Sequence, residues 1–194
     1  NLSGSPISVD FMNVSENLNI KVSPNPIPAQ STAEISFTVT ADRDRWGKNT
    51  YYASPVVNGK AVKGPDGSGK IGIWAFTKEN FDDMTEAEKS AAPRPMFESS
   101  TWSFGKVKRG TVIHAEYTLK NQGKTPFKVY KVDADTPRWS HGEIPVVEGG
   151  QTGSFKVDLD TTGMPSGEVL VIVTLTTNSP LRPIVNLFIA GYIE

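Results

Sequence analysis

Three pairs of acids, two histidines and one glycine-rich loop are the residues whose types and spacing could support chemistry. The acids are Asp82 with Asp83, Asp133 with Asp135, and Asp158 with Asp160. A glycosidase needs two carboxylates facing each other across a cleft at about 5 to 10 Å, an arrangement strand-end loops are able to supply. Asp158 and Asp160 are also the acids to consider for calcium, although neighbouring carboxylates are necessary for such a site and far from sufficient. His114 and His141 lie 27 residues apart (141 − 114) with no third residue at ligand spacing, so they read as surface or strand-face residues rather than zinc ligands. The sequence carries no recognisable Ser-His-Asp or Cys-His motif, and no catalytic residue, metal or cofactor is expected.

The loop Gly64–Lys70 fits G-x-x-x-x-G-K, the start of a phosphate-binding loop. That motif continues with a Ser or Thr that holds magnesium and opens a helix. Here the next residue is Ile71, and residues 71–75 alternate like a strand. A glycine-rich connection between strands accounts for the same residues. Among the aromatic residues, Trp74 and Trp102 sit on strands and are expected in the core. Trp46 and Trp139 sit in loops, where a ring either packs locally, stacks on a sugar or anchors a protein contact, which makes them the candidate ligand contacts. Asn121, Asn178 and Asn1 are read as structural turn residues, because an Asn at a strand end bonds its own chain two residues on and tolerates a left-handed turn.

The elements that position these residues are short strands. Ile7, Val9 and Phe11 alternate, as do Leu18, Ile20 and Val22, and Ile35, Phe37 and Val39. Pro24, Pro26 and Pro28 interrupt any ladder between the second and third of these, since each removes a backbone donor. Further along, Ile113, Ala115, Tyr117 and Leu119 alternate with polar residues, the pattern of a sheet with one wet face. Residues 144–147 read as a short strand, and 152–159 as a longer one. Residues 169–175 are apolar at almost every position and predict a central strand covered on both sides; 184–192 closes the set. Thr85-Glu86-Ala87-Glu88 is a capping box, so a helix of one or two turns should come after it, stopped by Pro93 and Pro95.

These strands occur twice. Asn121, Pro126, Phe127, Val129 and Val132 answer to Asn1, Pro6, Ile7, Val9 and Met12, each displaced by 120 residues (121 − 1). The register persists through Gly47 with Gly167 and Asn58 with Asn178, after which the first copy carries six extra residues (71 − 185 + 120). Such a period is close to a whole small sandwich domain and indicates duplication. The first copy begins at a point where the second is already 25 residues old (121 − 96), so it lacks counterparts of the first two strands. The expected division is a partial sandwich over 1–79, a linker with the short helix over 80–95, and a complete seven-stranded sandwich over 96–194. The fold class is all-β: two tandem immunoglobulin-like antiparallel β-sandwiches.

Composition limits the partners. The 194 residues contain 20 basic and 21 acidic side chains without long blocks of either sign, so no nucleic-acid footprint is present. Lys106, Lys108 and Arg109, the densest basic cluster, read as a solvated loop. The apolar stretch 169–173 is far shorter than the roughly 20 residues that span a bilayer. Zero cysteines exclude disulfides and thiol chemistry without identifying a compartment. The first residue already lies within a repeat, so any targeting segment is expected ahead of it.

One resemblance adds to this reading. Phe104-Gly105-Lys106-Val107-Lys108-Arg109-Gly110, then Asn121-Gln122-Gly123 with Pro126-Phe127, then Thr177-Asn178-Ser179-Pro180, in that order and spacing over roughly 98–192, resemble a bacterial family known as domain of unknown function 1573. The resemblance implies an immunoglobulin-like, Hydin-type sandwich and no enzyme activity. It also implies an extracytoplasmic protein, periplasmic, secreted or lipoprotein, of the Bacteroidetes type. Many members carry Cys-x-Cys after the third strand; this chain has Asp133-Ala134-Asp135 there, so no thiol or metal role transfers. The expected function is a non-catalytic structural or adhesive module whose partner is an unknown protein or polysaccharide, met by strand edges or inter-strand loops. The alternatives are an envelope hydrolase using acids at the domain junction, and a chaperone-like strand donor or acceptor.

Overall fold

A computed structural model describes residues 1–64, 67 and 69–194. The chain divides into two compact units, Asn1–Thr77 and Lys78–Glu194, referred to as unit 1 and unit 2. The stretch 80–95, expected as a linker, therefore lies within unit 2.

Unit 1 contains β1 (Val9–Met12), β2 (Leu18–Ser23), β3 (Glu34–Val39), β4 (Gly47–Val57), β5 (Lys60–Ala61) and β6 (Ile71–Thr77). The long strand β4 is the centre of one sheet and pairs antiparallel with β1, β5 and β6. The hairpin β2–β3 forms the other layer. The two layers meet at a small core: Leu18, Tyr51 and Ala53 are buried, with Phe11, Ile20, Val39, Ile71, Ile73 and Ala75 half-buried around them. Alternation dictates these choices, because successive side chains of a strand point to opposite faces.

Unit 2 contains α1 (Glu86–Ala91), β7 (Pro95–Phe97), β8 (Thr101–Val107), β9 (Val112–Asn121), β10 (Val129–Ala134), β11 (Trp139–His141), β12 (Thr152–Asp160), β13 (Gly167–Thr177) and β14 (Ile184–Ile193). Its sheets have the orders β10-β13-β14-β8 and β11-β12-β9-β7. Every pair is antiparallel except β14 with β8, which run parallel with a register shift after Ala190. At that shift Gly105 takes φ 67°, and the Phe104 ring lies over Gly191 where a Cβ would require the ring to move. The core is continuous and large: Ile113, Tyr117, Leu119, Phe127, Phe155, Val157, Leu159, Val173, Leu175, Leu187 and Ile189 are all buried within it.

The helix forms where the capping box requires. The Thr85 hydroxyl oxygen accepts from the Glu88 amide at 3.3 Å, and the Thr85 amide donates to the Glu88 carboxylate at 2.7 Å. The chain leaving α1 is tied to the sandwich by its own carbonyls. Ala91 O accepts from the Lys124 and Thr125 amides at 3.0 Å each, and Pro93 O accepts from the Ser179 hydroxyl at 2.7 Å. The strap runs so close to Gly123 that a Cβ there would collide with the Ala92 carbonyl.

Three expectations are corrected, those for residues 169–175, for residues 144–147 and for the two strand tryptophans. Residues 169–175 are central in the sheet, but only one face is covered: Leu170 is 60% exposed because its alternate position faces outward. Residues 144–147 form no strand; Val147 makes one isolated bridge to Phe127. Trp74 is 69% exposed rather than in the core, and Trp102 is 37% exposed. Trp74 lies between Ile73 and Ala75, both directed inward, so it is carried to the outer face. The phosphate-loop motif falls partly on Pro65, Asp66 and Ser68, outside the described residues, and the element after Lys70 is the strand β6 and not a helix.

Candidate binding groove beside Trp139

Of the candidate ligand contacts, Trp139 is the one that gathers chemistry around it. Strand β11 pairs along the edge of β12, with Trp139 opposite Leu159 and Ser140 opposite Asp158. The Trp139 ring packs against the core from the rim and stacks on the His141 ring, with centroids 5.8 Å apart and an interplanar angle of 20°. Beside it opens a shallow groove of about 390 Å³ lined by Arg138, Trp139, Ser140, Asp158, Asp160 and Val112. Trp46 lies in unit 1, half-buried, immediately before β4.

The groove's acids are engaged. The Asp158 carboxylate meets His114 Nδ1 at 2.6 Å across the β9–β12 pair. Asp160 accepts from the Thr162 amide at 2.8 Å and pairs with the Arg138 guanidinium at 3.4 Å. The bonds to Thr162, with the Arg138 charge adding to them, hold the Asp160 carboxyl below the ordinary carboxylate value. Asp158 and Asp160 are two apart on one strand and share its face, so they present neighbouring acceptors instead of facing each other over a cleft. Trp139, opposite Leu159, turns its ring to the core face, so on the outer face of the β11–β12 pair the groove offers a guanidinium, a hydroxyl and two carboxylates as polar contacts.

Asn121 and Asn178 sit at the end of the sandwich. Asn121 is fully buried, and all its polar capacity is used. Its carbonyl oxygen accepts from the Arg94 and Gly123 amides, both at 3.0 Å; its amide group donates to Thr125 O at 2.8 Å and Val147 O at 2.9 Å. Asn178 accepts from the Lys128 amide at 2.8 Å and donates to Pro126 O at 2.9 Å. Both are backbone clamps, and Asn121 has no polar capacity left for a ligand.

Two surfaces escaped the sequence reading. On the outer face of unit 1, Trp74 stands exposed with the Lys48 ammonium 5.8 Å from its centroid, and Tyr52 is exposed on the paired strand. The signal was present in the alternation of Ile71, Ile73 and Ala75, which leaves residue 74 no inward position. Between α1 and the end of the unit 2 sandwich, the Tyr130 hydroxyl donates to the Glu79 carboxylate at 2.5 Å inside a groove of about 360 Å³. No motif marks that contact, because it joins residues 51 apart through a non-repetitive strap.

Comparison with known proteins gives a family and a fold. The family described as protein of unknown function (DUF1573) matches residues 96–193. A crystal structure of a protein of unknown function from Porphyromonas gingivalis W83 is similar over 99% of this chain and 87% of its own, with a TM-score of 0.67 and 13% identity. The ASH/PapD-like domain of human CEP192 matches 62% of this chain and 96% of its own at a TM-score of 0.43 and 11% identity. A Caenorhabditis elegans member of the MSP family, WR4, matches 52% of this chain and 97% of its own at a TM-score of 0.34 and 8% identity. No curated protein matches the chain by sequence.

Proposed function

The chain belongs to the DUF1573 family, whose function is unknown, and from that premise we propose that it is a non-catalytic structural or adhesive module of the extracytoplasmic space. Its partner is a protein or a polysaccharide, held at the groove beside Trp139. The observation that carries this reading is a groove lined by Arg138, Trp139, Asp158 and Asp160 whose carboxylates already have partners in His114 and Arg138. Acid catalysis of glycoside cleavage calls for a carboxyl whose pKa is raised so that it keeps a proton to give. Asp160 is shifted the opposite way, which suits an acceptor of hydrogen bonds. The extracytoplasmic placement rests on the family resemblance. No helix among the described residues is long and apolar enough to cross a membrane.

A glycan array and an envelope-protein pull-down test this reading, run with the wild-type chain and with Trp139→Ala, Arg138→Ala and Asp158→Asn. Arg138 and Asp158 are partly exposed, so their variants keep the fold while altering the groove. A retained partner that all three variants lose supports the reading. Equal retention by the variants, or cleavage of a retained glycan, contradicts it.

A further inference from the structure

Unit 1 reproduces the frame of unit 2 in its main strands and in several matching bonds, and it leaves two strand positions open. Strand β4 begins and ends 120 residues before β13 (47 with 167, 57 with 177). The Asn1 side-chain amide donates to Ser5 O at 2.8 Å and Ile27 O at 3.0 Å, as that of Asn121 does to Thr125 O and Val147 O. Asn58 accepts from the Ser8 amide at 2.9 Å, as Asn178 accepts from that of Lys128. Even the isolated bridge recurs, Ile7 with Ile27 and Phe127 with Val147.

The difference lies at two sheet edges. In unit 2, β12 is paired on both sides, by β11 and antiparallel by β9, and β14 by β13 and parallel by β8. Among the described residues their counterparts have one partner each: β3 pairs with β2, and β6 with β4. The side chains record the consequence. Phe155 and Val157 are buried, whereas Ile35 and Phe37 at the same positions are 41% and 40% exposed. Leu187 and Ile189 are wholly buried, whereas Ile73 and Ala75, displaced by 114 residues, are only half so. The Tyr51 hydroxyl, buried in this same core, has no hydrogen-bond partner among the described residues. An unpaired row of amides and carbonyls beside exposed apolar side chains is a template for a further strand.

The direction from which that strand arrives is also visible. The amine of Asn1 donates to Ser31 O at 2.7 Å, as the amide of Asn121, the last residue of β9, donates to Gln151 O at 2.9 Å. The backbone at Asn1 therefore already stands where a β9-like strand ends, beside β3.

We propose that unit 1 is completed in cis, by the polypeptide joined to the N-terminal side of Asn1. Its last strand runs antiparallel along β3, and the strand before that runs parallel along β6. Leu119, Tyr117, Ala115 and Ile113 stand 2, 4, 6 and 8 residues before Asn121, and Tyr117 and Ala115 face Phe155 and Val157. The residues 2, 4, 6 and 8 before Asn1 are accordingly apolar, and the fourth and sixth lie opposite Ile35 and Phe37. Covalent attachment favours this occupant, because a short connection gives it an effective concentration of about millimolar, above that of a free donor.

The experiment compares the 194-residue chain with the chain extended by the residues its gene encodes ahead of Asn1, by amide hydrogen exchange at low micromolar concentration. Extension is expected to slow exchange of the outward amides of β3 and β6 by about 100-fold or more, while the unextended chain shows fast exchange at every concentration. If the extended chain aggregates, the same residues supplied as a synthetic peptide to the 194-residue chain give the same readout. The proposal is overturned by unchanged exchange on extension and peptide addition. It is equally overturned by concentration-dependent protection of the unextended chain, which assigns the edges to a second copy, or by an encoded segment lacking the apolar alternation.

Discussion

Strand β12 of unit 2 buries Phe155, Val157 and Leu159, whereas β3 of unit 1 leaves the matching Ile35 and Phe37 about two-fifths exposed. The two strands have the same length of alternation and the same place in the frame. What separates them is the neighbour on the far side: β9 covers β12, and nothing among the described residues covers β3. A strand's own pattern selects which face turns inward, and the strands on either side decide how far that face is removed from water. The same contrast holds for β14, which lies between β13 and β8, and β6, which has β4 alone.

The largest expected effect is on the core contrast. Phe155→Ala should destabilise unit 2 by about 4 kcal/mol, since it removes a ring from a closed core. Ile35→Ala should cost unit 1 only about 1 kcal/mol, because much of that side chain is already wet. Guanidinium unfolding followed by fluorescence measures both, and equal costs would break the comparison. Next is the asparagine contrast. Asn121→Ala leaves one buried amide, one buried carbonyl and a part-buried one of each without their partner and should cost about 3 kcal/mol. The matching Asn1→Ala acts at an exposed turn and should cost less than about 1 kcal/mol.

A smaller effect separates Gly123 from its counterpart Ser3. The strap crosses unit 2 at Gly123, so Gly123→Ala should cost about 2 kcal/mol through the collision with Ala92. Ser3→Ala should fall within about 0.5 kcal/mol in the same unfolding assay.

The smallest contrast is in pH. Burial pushes the Tyr117 phenol well above its ordinary value, and burial together with the bond to Glu79 and its charge does the same to Tyr130. A proton held more tightly in the folded state gives stability that is complete below the unfolded pKa of about 10 and is lost as pH rises beyond it. The unit 2 midpoint should thus be level up to about pH 10 and decline above it. Tyr130→Phe should make that decline shallower; a variant with an unaltered pH profile would show that Tyr130 does not contribute.

Much of this frame was legible because period-two alternation and a 120-residue displacement are local properties of the sequence. The capping box at Thr85 and the strand beginning at Ile71 were readable for the same reason. Burial was less legible. Leu170 and Trp74 are apolar residues on outer faces, and an apolar type alone does not reveal on which side of a strand it stands. The run 169–175 hides its alternation by placing the apolar Leu170 and Ile172 on the outward face, opposite Ala190 and Phe188 of β14. The groove was legible in Trp139 and in the acids Asp158 and Asp160, though not as one place. The stacking of Trp139 on His141 and the pairs Asp158 with His114 and Asp160 with Arg138 depend on β9, β11 and β12 lying side by side, a register that sequence spacing does not contain.

The central claim is that the two units share one frame and differ in two occupied strand positions. Amide exchange of the 194-residue chain, resolved by residue, tests it most directly. The account predicts slow exchange along both edges of β12 and β14, with slow exchange on only one edge of β3 and β6, the alternate amides facing away from β2 and β4 being fast. Matching protection on both edges of β3 and β6 would contradict it.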